Sequence, residues 1–265
     1  MVLLAREYVP SMTAILVWYI GVALELLILF RCFKTGSFRA YPFFVIYLGC
    51  VCAGDIVLVP LSRTLSAGAY KLCYWSKEFI CVLAGYALLM EIIEKAFAYF
   101  EGPRKLGRNA ALITLAAIVG FTGFQAVLDG LSTASHTSIQ IEADLRGAEL
   151  VLLLIVIGVI SYYRIPIGRS LNGIIIGYGI CTLIVMVNEA VRTFAGARFQ
   201  AAFSAIWSYS FLVPLMIWAA MLWSYEPSPV PAGWTQVNGD YEALAGRTKA
   251  TLAGVVGYLR KAVRP

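Results

Sequence analysis

Histidine is nearly absent from this chain, with His136 the single copy in 265 residues. That scarcity excludes an intramembrane histidine pair for b-type haem, a histidine-based zinc site and a histidine base in a catalytic triad. Charge is sparse as well. Asp, Glu, Lys and Arg make up 14% of the chain, against roughly 25% in soluble globular domains, too few to coat a water-facing surface. No Gly-Xaa-Ser-Gly nucleophile motif falls in an apolar run, and no glycine-rich phosphate loop with its lysine occurs. Glu91-Ile-Ile-Glu94 lacks the adjacent glutamate pair and the histidines of a membrane metalloprotease. The last apolar run, 202–223, contains no lysine, so a retinal Schiff base has nowhere to form. The expectation is a chain with no cofactor, no metal site and no catalytic residue.

The six cysteines do not suggest a disulfide framework. Cys32, Cys50, Cys52, Cys81 and Cys181 lie inside or at the ends of apolar runs, and only Cys73 falls near a loop. They read as free thiols acting as small hydrophobes.

Hydrophobic residues, at 60% of the chain, are what it has in abundance. Crossing a hydrocarbon core takes about 20 helical residues, because lipid requires each backbone group to be paired within its own segment. Seven stretches meet that length, near 11–31, 41–59, 72–97, 109–128, 147–163, 171–191 and 202–223. Barrel strands would alternate polar and apolar residues, whereas 151–160 is continuously apolar. The sequence therefore predicts an all-α polytopic bundle of seven transmembrane helices over 1–226. The first run contains Glu25, ends in Arg31 and has no small-residue cleavage site, so it is read as a retained span.

A net charge of +6 raises nucleic acid as a partner, but the basic residues sit in short clusters between apolar runs and read as topology determinants. With the N-terminus outside, 14 of the 21 lysines and arginines fall on the cytoplasmic side, and the acidic loop with Asp129, Glu142 and Asp144 faces out. The expected location is a bacterial inner membrane, with the lipid bilayer as first partner, no nucleic acid, and the C-terminus inside.

Beyond 226, Pro227, Pro229 and Pro231 make 227–239 a stiff connector. In 240–265, Asp240 is a helix N-cap candidate, and Leu252, Val255, Val256, Leu259 and Val263 recur at helical spacing beside Arg260, Lys261 and Arg264. A short basic amphipathic helix on the anionic inner leaflet fits this pattern. A frayed solvated tail fits it too, since Gly246, Gly254 and Gly257 weaken a helix.

Ionisable residues within spans are functional candidates by default, each costing at least about 2.5 kcal/mol at the membrane centre. They form two layers. Asp55, Lys77, Glu78, Glu149, Glu189 and Arg192 lie toward the outer ends of spans two, three, five and six, with Tyr74, Trp75, Trp207 and Tyr209 nearby. Two readings fit this layer: an outward-facing polar cavity that binds a small ligand, or a set of interhelical ion pairs. Glu25, Glu91, Glu94 and Lys95 lie on the inner side, where Glu91 and Lys95 are spaced to pair along one helix. Pro214 interrupts the seventh run and is a candidate hinge, while Gly173 and Gly177 suit close helix packing.

Several segments carry a resemblance. They are Phe38-Arg-Ala-Tyr-Pro-Phe-Phe-Val-Ile-Tyr47, Tyr74-Trp-Ser-Lys-Glu78, Met90-Glu-Ile-Ile-Glu-Lys-Ala-Phe97, Arg146-Gly-Ala-Glu149 and Val187-Asn-Glu-Ala-Val191. Together they resemble a family of uncharacterised bacterial seven-helix membrane proteins, over residues from about Tyr19 to Tyr225. The resemblance implies the helix count and supplies no activity. Three functions therefore stay open: a small-ligand sensor or signalling protein with a protein partner at the cytoplasmic face, a small-solute or ion transporter, and a structural subunit of a membrane complex.

Overall fold

The computed structural model describes residues 12–128, 134–195 and 209–229, together with Ala243 and Gly246. Those residues form helices and connections, with no strand among them. The helices are α1 (Met12–Thr35), α2 (Ser37–Ala40), α3 (Pro42–Thr64), α4 (Ala67–Ala96), α5 (Glu101–Leu128), α6 (Ala134–Tyr162), α7 (Arg169–Ala195) and α8 (Leu212–Met221). The tail 240–265 lies outside the described residues apart from Ala243 and Gly246.

Among the described residues, four helices hold a stretch long and apolar enough to cross a membrane: Ile15–Thr35, Pro42–Leu61, Asp144–Tyr162 and Arg169–Asn188. The protein is a helical membrane protein on that ground. Charge sets α4 and α5 apart, because α4 carries Lys77, Glu78, Glu91, Glu94 and Lys95, and α5 opens with Glu101, Arg104, Lys105 and Arg108. Of the seventh predicted run, 202–208 lie outside the described residues and Leu212–Met221 form α8. The outer surface agrees with a lipid setting. Leu16 and Phe30 of α1, Leu72 of α4, Ile113 and Phe121 of α5 and Leu154 of α6 are each more than half exposed, a density of bare apolar side chains that water does not favour.

Neighbouring helices run in opposite directions, as short connections require. Residues near the end of α4 meet the start of α3 through Glu91, Phe43 and Phe44, and α4 meets the start of α5 through Glu94 and Arg108. Along α5 the first exposed residue, Glu101, pairs with Lys105 one turn on, and that hydrogen bond holds its carboxyl below the usual range. A left-handed residue, Arg164, ends α6, and the Ile165 N–H then reaches back to the Ile160 carbonyl, which pairs a carbonyl that a helix end leaves open.

The core runs between the helices through Ile28, Phe44, Leu48, Leu88, Leu89, Ile92, Leu153, Ile174 and Trp218. α8 lies along α7 in a groove floored by Gly173 and Gly177, where a β-carbon would strike Met221 and the Trp218 indole. The pair expected from sequence to bring helices close does so here. Arg31 of α1 and Arg169 of α7 donate to the Trp223 and Ala220 carbonyls at the end of α8, and the Arg31 guanidinium stacks 3.9 Å over the Trp223 ring. Cations there complement the negative end of the helix dipole.

Pro214 follows a break in the helical pattern of the seventh run. Residues 209 and 210 are helical, the chain turns at Phe211, and Pro214 sits in the first turn of α8, where its missing N–H removes nothing that a helix start would use. The connector begins as a docked segment: the Ser228 hydroxyl accepts from the Gly168 N–H at 3.0 Å, and the Glu226 N–H donates to the Ser170 hydroxyl at 3.1 Å. The six cysteines are free.

Candidate functional site

The ionisable residues of α3, α4 and α6 meet inside the bundle and alternate in sign. Lys77 Nζ lies 3.8 Å from Asp55 Oδ1 and donates to Glu78 Oε1 at 3.0 Å, while Arg146 Nη2 donates to Glu78 Oε2 at 2.7 Å. Adjacent residues on a helix point apart, so the bond from Lys77 to Glu78 requires the lysine to fold back. Gly54 permits this, since a β-carbon there would fall 2.5 Å from the Lys77 Cε and 2.8 Å from its Cγ. The lysine stem therefore lies against the bare backbone of α3. Glu78 and Arg146 are each about nine-tenths buried, which makes theirs the most shielded bond of the ladder.

Two further carboxyls flank this ladder. Glu149, one helical turn beyond Arg146 on α6 and 2% exposed, accepts from the Tyr178 hydroxyl of α7 at 2.9 Å. The Tyr178 ring meets Tyr47 of α3 edge to face, and the Tyr47 hydroxyl lies 3.6 Å from the Cys181 sulfur. Gly85 of α4 makes the approach possible: a β-carbon would stand 2.5 Å from the Tyr178 oxygen and 2.9 Å from Glu149 Oε1. At the other flank Glu25 of α1, 1% exposed, is buried near Cys52 and Asp55 of α3 and Lys77 of α4. Glu25 Oε2 and Glu149 Oε1 are buried without a hydrogen-bond partner among the described residues.

Three of the four outer carboxylates named from sequence, Asp55, Glu78 and Glu149, thus converge, and Lys77 stands between the first two. The fourth, Glu189, and Arg192 occupy the last turns of α7, but their side chains lie outside the described residues, as does Trp207. Tyr74 and Trp75 stack edge to face on α4, with ring centroids 5.5 Å apart.

The inner residues sort differently from the sequence expectation. Glu25 is buried near Cys52 and Asp55 of α3, on the side of the bundle where the ladder lies. Glu91 reaches across to α3 and accepts from the Phe43 and Phe44 N–H groups at 3.3 and 3.0 Å, so it caps the start of another helix and does not form its principal bonds with Lys95. A buried carboxylate there satisfies two open donors and meets the positive end of the α3 dipole. Glu94 pairs across the surface with Arg108 of α5 at 3.7 Å. Glu91→Ala is expected to destabilise the fold by about 1–2 kcal/mol, the range for losing a cap and stranding buried donors. Reversible unfolding in mixed micelles, compared with Glu94→Ala, checks it: the exposed Glu94 should change stability by only a few tenths of a kcal/mol.

Arg146, Tyr178, Gly54 and Gly85 are site residues that reading the spans for ionisable candidates passed over. One signal was present, the spacing of Arg146 three residues before Glu149, which puts both on one helix face. Compared with known proteins, the chain matches no family model, no curated protein and no solved structure.

Proposed function

We propose that the chain is a seven-helix sensor or signalling protein of a bacterial inner membrane, in which the ladder of Asp55, Lys77, Glu78 and Arg146 receives a small charged ligand from the outside. The convergence of these residues from three helices carries the reading, since a ligand that replaces one partner alters how α3, α4 and α6 are tied together. In this reading α4, α5 and the segment around α8 supply the remaining three crossings, and the N-terminus lies outside. The basic residues Arg31, Lys34, Arg39, Arg164 and Arg169 near the opposite helix ends support that direction. Movement of α8 about the turn at Phe211 and Pro214 would reach the connector, and through it the basic tail on the inner leaflet and a protein partner at the cytoplasmic face. The resemblance to uncharacterised seven-helix membrane proteins belongs to the same reading.

Thermal unfolding of detergent-purified protein against a panel of small cationic and zwitterionic solutes tests it. At 100 times its Kd a ligand should stabilise the wild type by about 2.7 kcal/mol, and Glu78→Gln should lose that response. Equal stabilisation of both proteins removes the ladder from the binding site.

The position of Glu25 midway along α1, beside Cys52, favours a second reading in which the ionisable residues form a transport relay. Proteoliposome flux unchanged by Glu78→Gln and Glu25→Gln sinks that reading. If a large membrane partner co-purifies stoichiometrically and no solute acts, the ladder serves a structural subunit.

A further inference from the structure

At the end of the bundle opposite the ladder, α1 and α8 run parallel. Gly21 meets the start of α8, where a β-carbon would stand 4.0 Å from Leu212, and Arg31 meets its end at the Trp223 carbonyl. Toward that end a shallow groove lies between the two helices. Its floor is Ile28, Trp218 and Leu222, each 2% exposed or less, and its remaining lining includes Leu27, Trp223 and Arg31. Leu27 and Trp223 are exposed, so the groove opens on the apolar outer surface. Arg31, one turn beyond Leu27 on α1, puts a cation at its end.

That cation has neighbours of its own sign. Lys34 follows on the same face of α1, with its ammonium 5.4 Å from the Phe30 ring centroid, and the Arg39 guanidinium of α2 lies 5.5 Å from that of Phe38. Gly36, at φ 74°, makes the turn that brings α2 back beside the end of α1, where the Phe33 and Phe38 rings stand 5.3 Å apart. Arg31 uses Nη2 on the Trp223 carbonyl, while its Nε is buried without an acceptor among the described residues. An acceptor missing from a charged donor is a larger loss than one missing from a neutral group. Among the described residues, none of the three cations is paired with a carboxylate.

We infer that the groove between α1 and α8 holds one acyl chain of an anionic phospholipid, whose phosphate meets Arg31 and Lys34, with Arg39 adding to the attraction. The level in the membrane fits, because the apolar stretch of α1 ends at Thr35. Phe30, Phe33 and Trp223 are each more than half exposed at that level, and rings mixed with cations are the surface that the boundary between acyl chains and headgroups favours. An acidic protein segment would match the cations but leave the groove and the rings uncovered. A zwitterionic lipid would fill the groove without answering the charge. The lipid would bridge α1 to the end of α8, from which the connector leaves. The inference rests on the membrane setting alone and is independent of the sensor reading and of which side is the cytoplasm.

Native mass spectrometry of the full chain, titrated in detergent with phosphatidylglycerol or phosphatidylcholine of matched acyl chains, tests it. One cation beside an anionic headgroup is worth about a fivefold change in affinity, so the first bound phosphatidylglycerol should be held at least about tenfold more tightly than phosphatidylcholine. Lys34→Gln should reduce that preference about fivefold, and Arg31→Gln by at least as much. Lys105→Gln, which removes an exposed cation of α5, should leave it unchanged. Arg31 also holds the end of α8, so the exposed Lys34 carries the test if Arg31→Gln does not fold. Ala219→Phe fills the groove with every cation in place and should weaken both lipids. Equal affinity for the two lipids, a preference that survives Lys34→Gln, or one that falls equally in Lys105→Gln overturns the headgroup site. Unchanged binding in Ala219→Phe, or displacement of the lipid by glycerol phosphate, overturns the acyl groove.

Discussion

Arg146→Met is expected to destabilise the bundle by about 3–5 kcal/mol, the effect of stranding one member of a buried ion pair. The residue donates to Glu78 at 2.7 Å between two side chains that are each about nine-tenths buried. Without it, Glu78 loses its shortest ion pair, and the charge of Lys77 is already shared with Asp55. The double replacement Arg146→Met with Glu78→Leu should recover much of the loss, because an apolar pair of similar volume leaves no charge uncompensated. Unfolding in mixed micelles of the two single variants and the double variant gives the coupling energy directly. A coupling near zero would mean that the bond contributes nothing to the fold and that the four residues do not act as a unit.

Gly85→Val should be as damaging by a different route. Its β-carbon would lie 2.5 Å from the Tyr178 hydroxyl and 2.9 Å from Glu149 Oε1, so α4 must move away from α6 and α7 or the bond between Tyr178 and Glu149 must break. Overpacking alone costs about 1–3 kcal/mol, and losing a hydrogen bond to a charged or buried group adds about 1.5–3 kcal/mol. Gly49→Val provides the comparison, since a β-carbon at Gly49 meets no atom within 4 Å. The expected result is a large fall in the unfolding midpoint for Gly85→Val and little change for Gly49→Val. Similar midpoints for the two variants would place α4 farther from α6 and α7 than described.

Much of the helical layout was legible because lipid imposes it. The predicted runs at 41–59 and 171–191 correspond to α3 and α7, and the helices extend beyond them, to Thr64 and Ala195. α6 begins at Ala134 although its apolar run begins near 147. Apolar length reports the part of a helix that touches hydrocarbon, whereas backbone hydrogen bonding continues past that boundary. The convergence of Asp55, Glu78 and Glu149 was legible in depth but not in azimuth. Whether side chains at one level face each other depends on how each helix is rotated, and no single span encodes that.

Glu91 shows what stayed hidden. Its spacing to Lys95 suggests a local pair, but its partners are backbone N–H groups of Phe43 and Phe44, 48 and 47 residues away. A side chain that caps a helix distant in sequence leaves no periodic trace. Gly54 and Gly85 are similar, because a glycine in a long apolar helix says nothing of which side chain will fill the space above it. Arg146 was visible as a basic residue near a span end, where it counts toward topology and conceals its bond to Glu78.

Reporter fusions test the central claim most directly, that the helices cross the membrane in alternation and place the ladder in the outer half. An enzyme active only outside and a fluorescent protein that matures only inside can be fused in turn after Tyr99, Gly130 and Pro229. The account predicts fluorescence without enzyme activity at Tyr99 and Pro229, and enzyme activity without fluorescence at Gly130. The same reporter active at Tyr99 and Gly130 would contradict a crossing between them, and enzyme activity at Pro229 would contradict the inward C-terminal side and the outer position of the ladder.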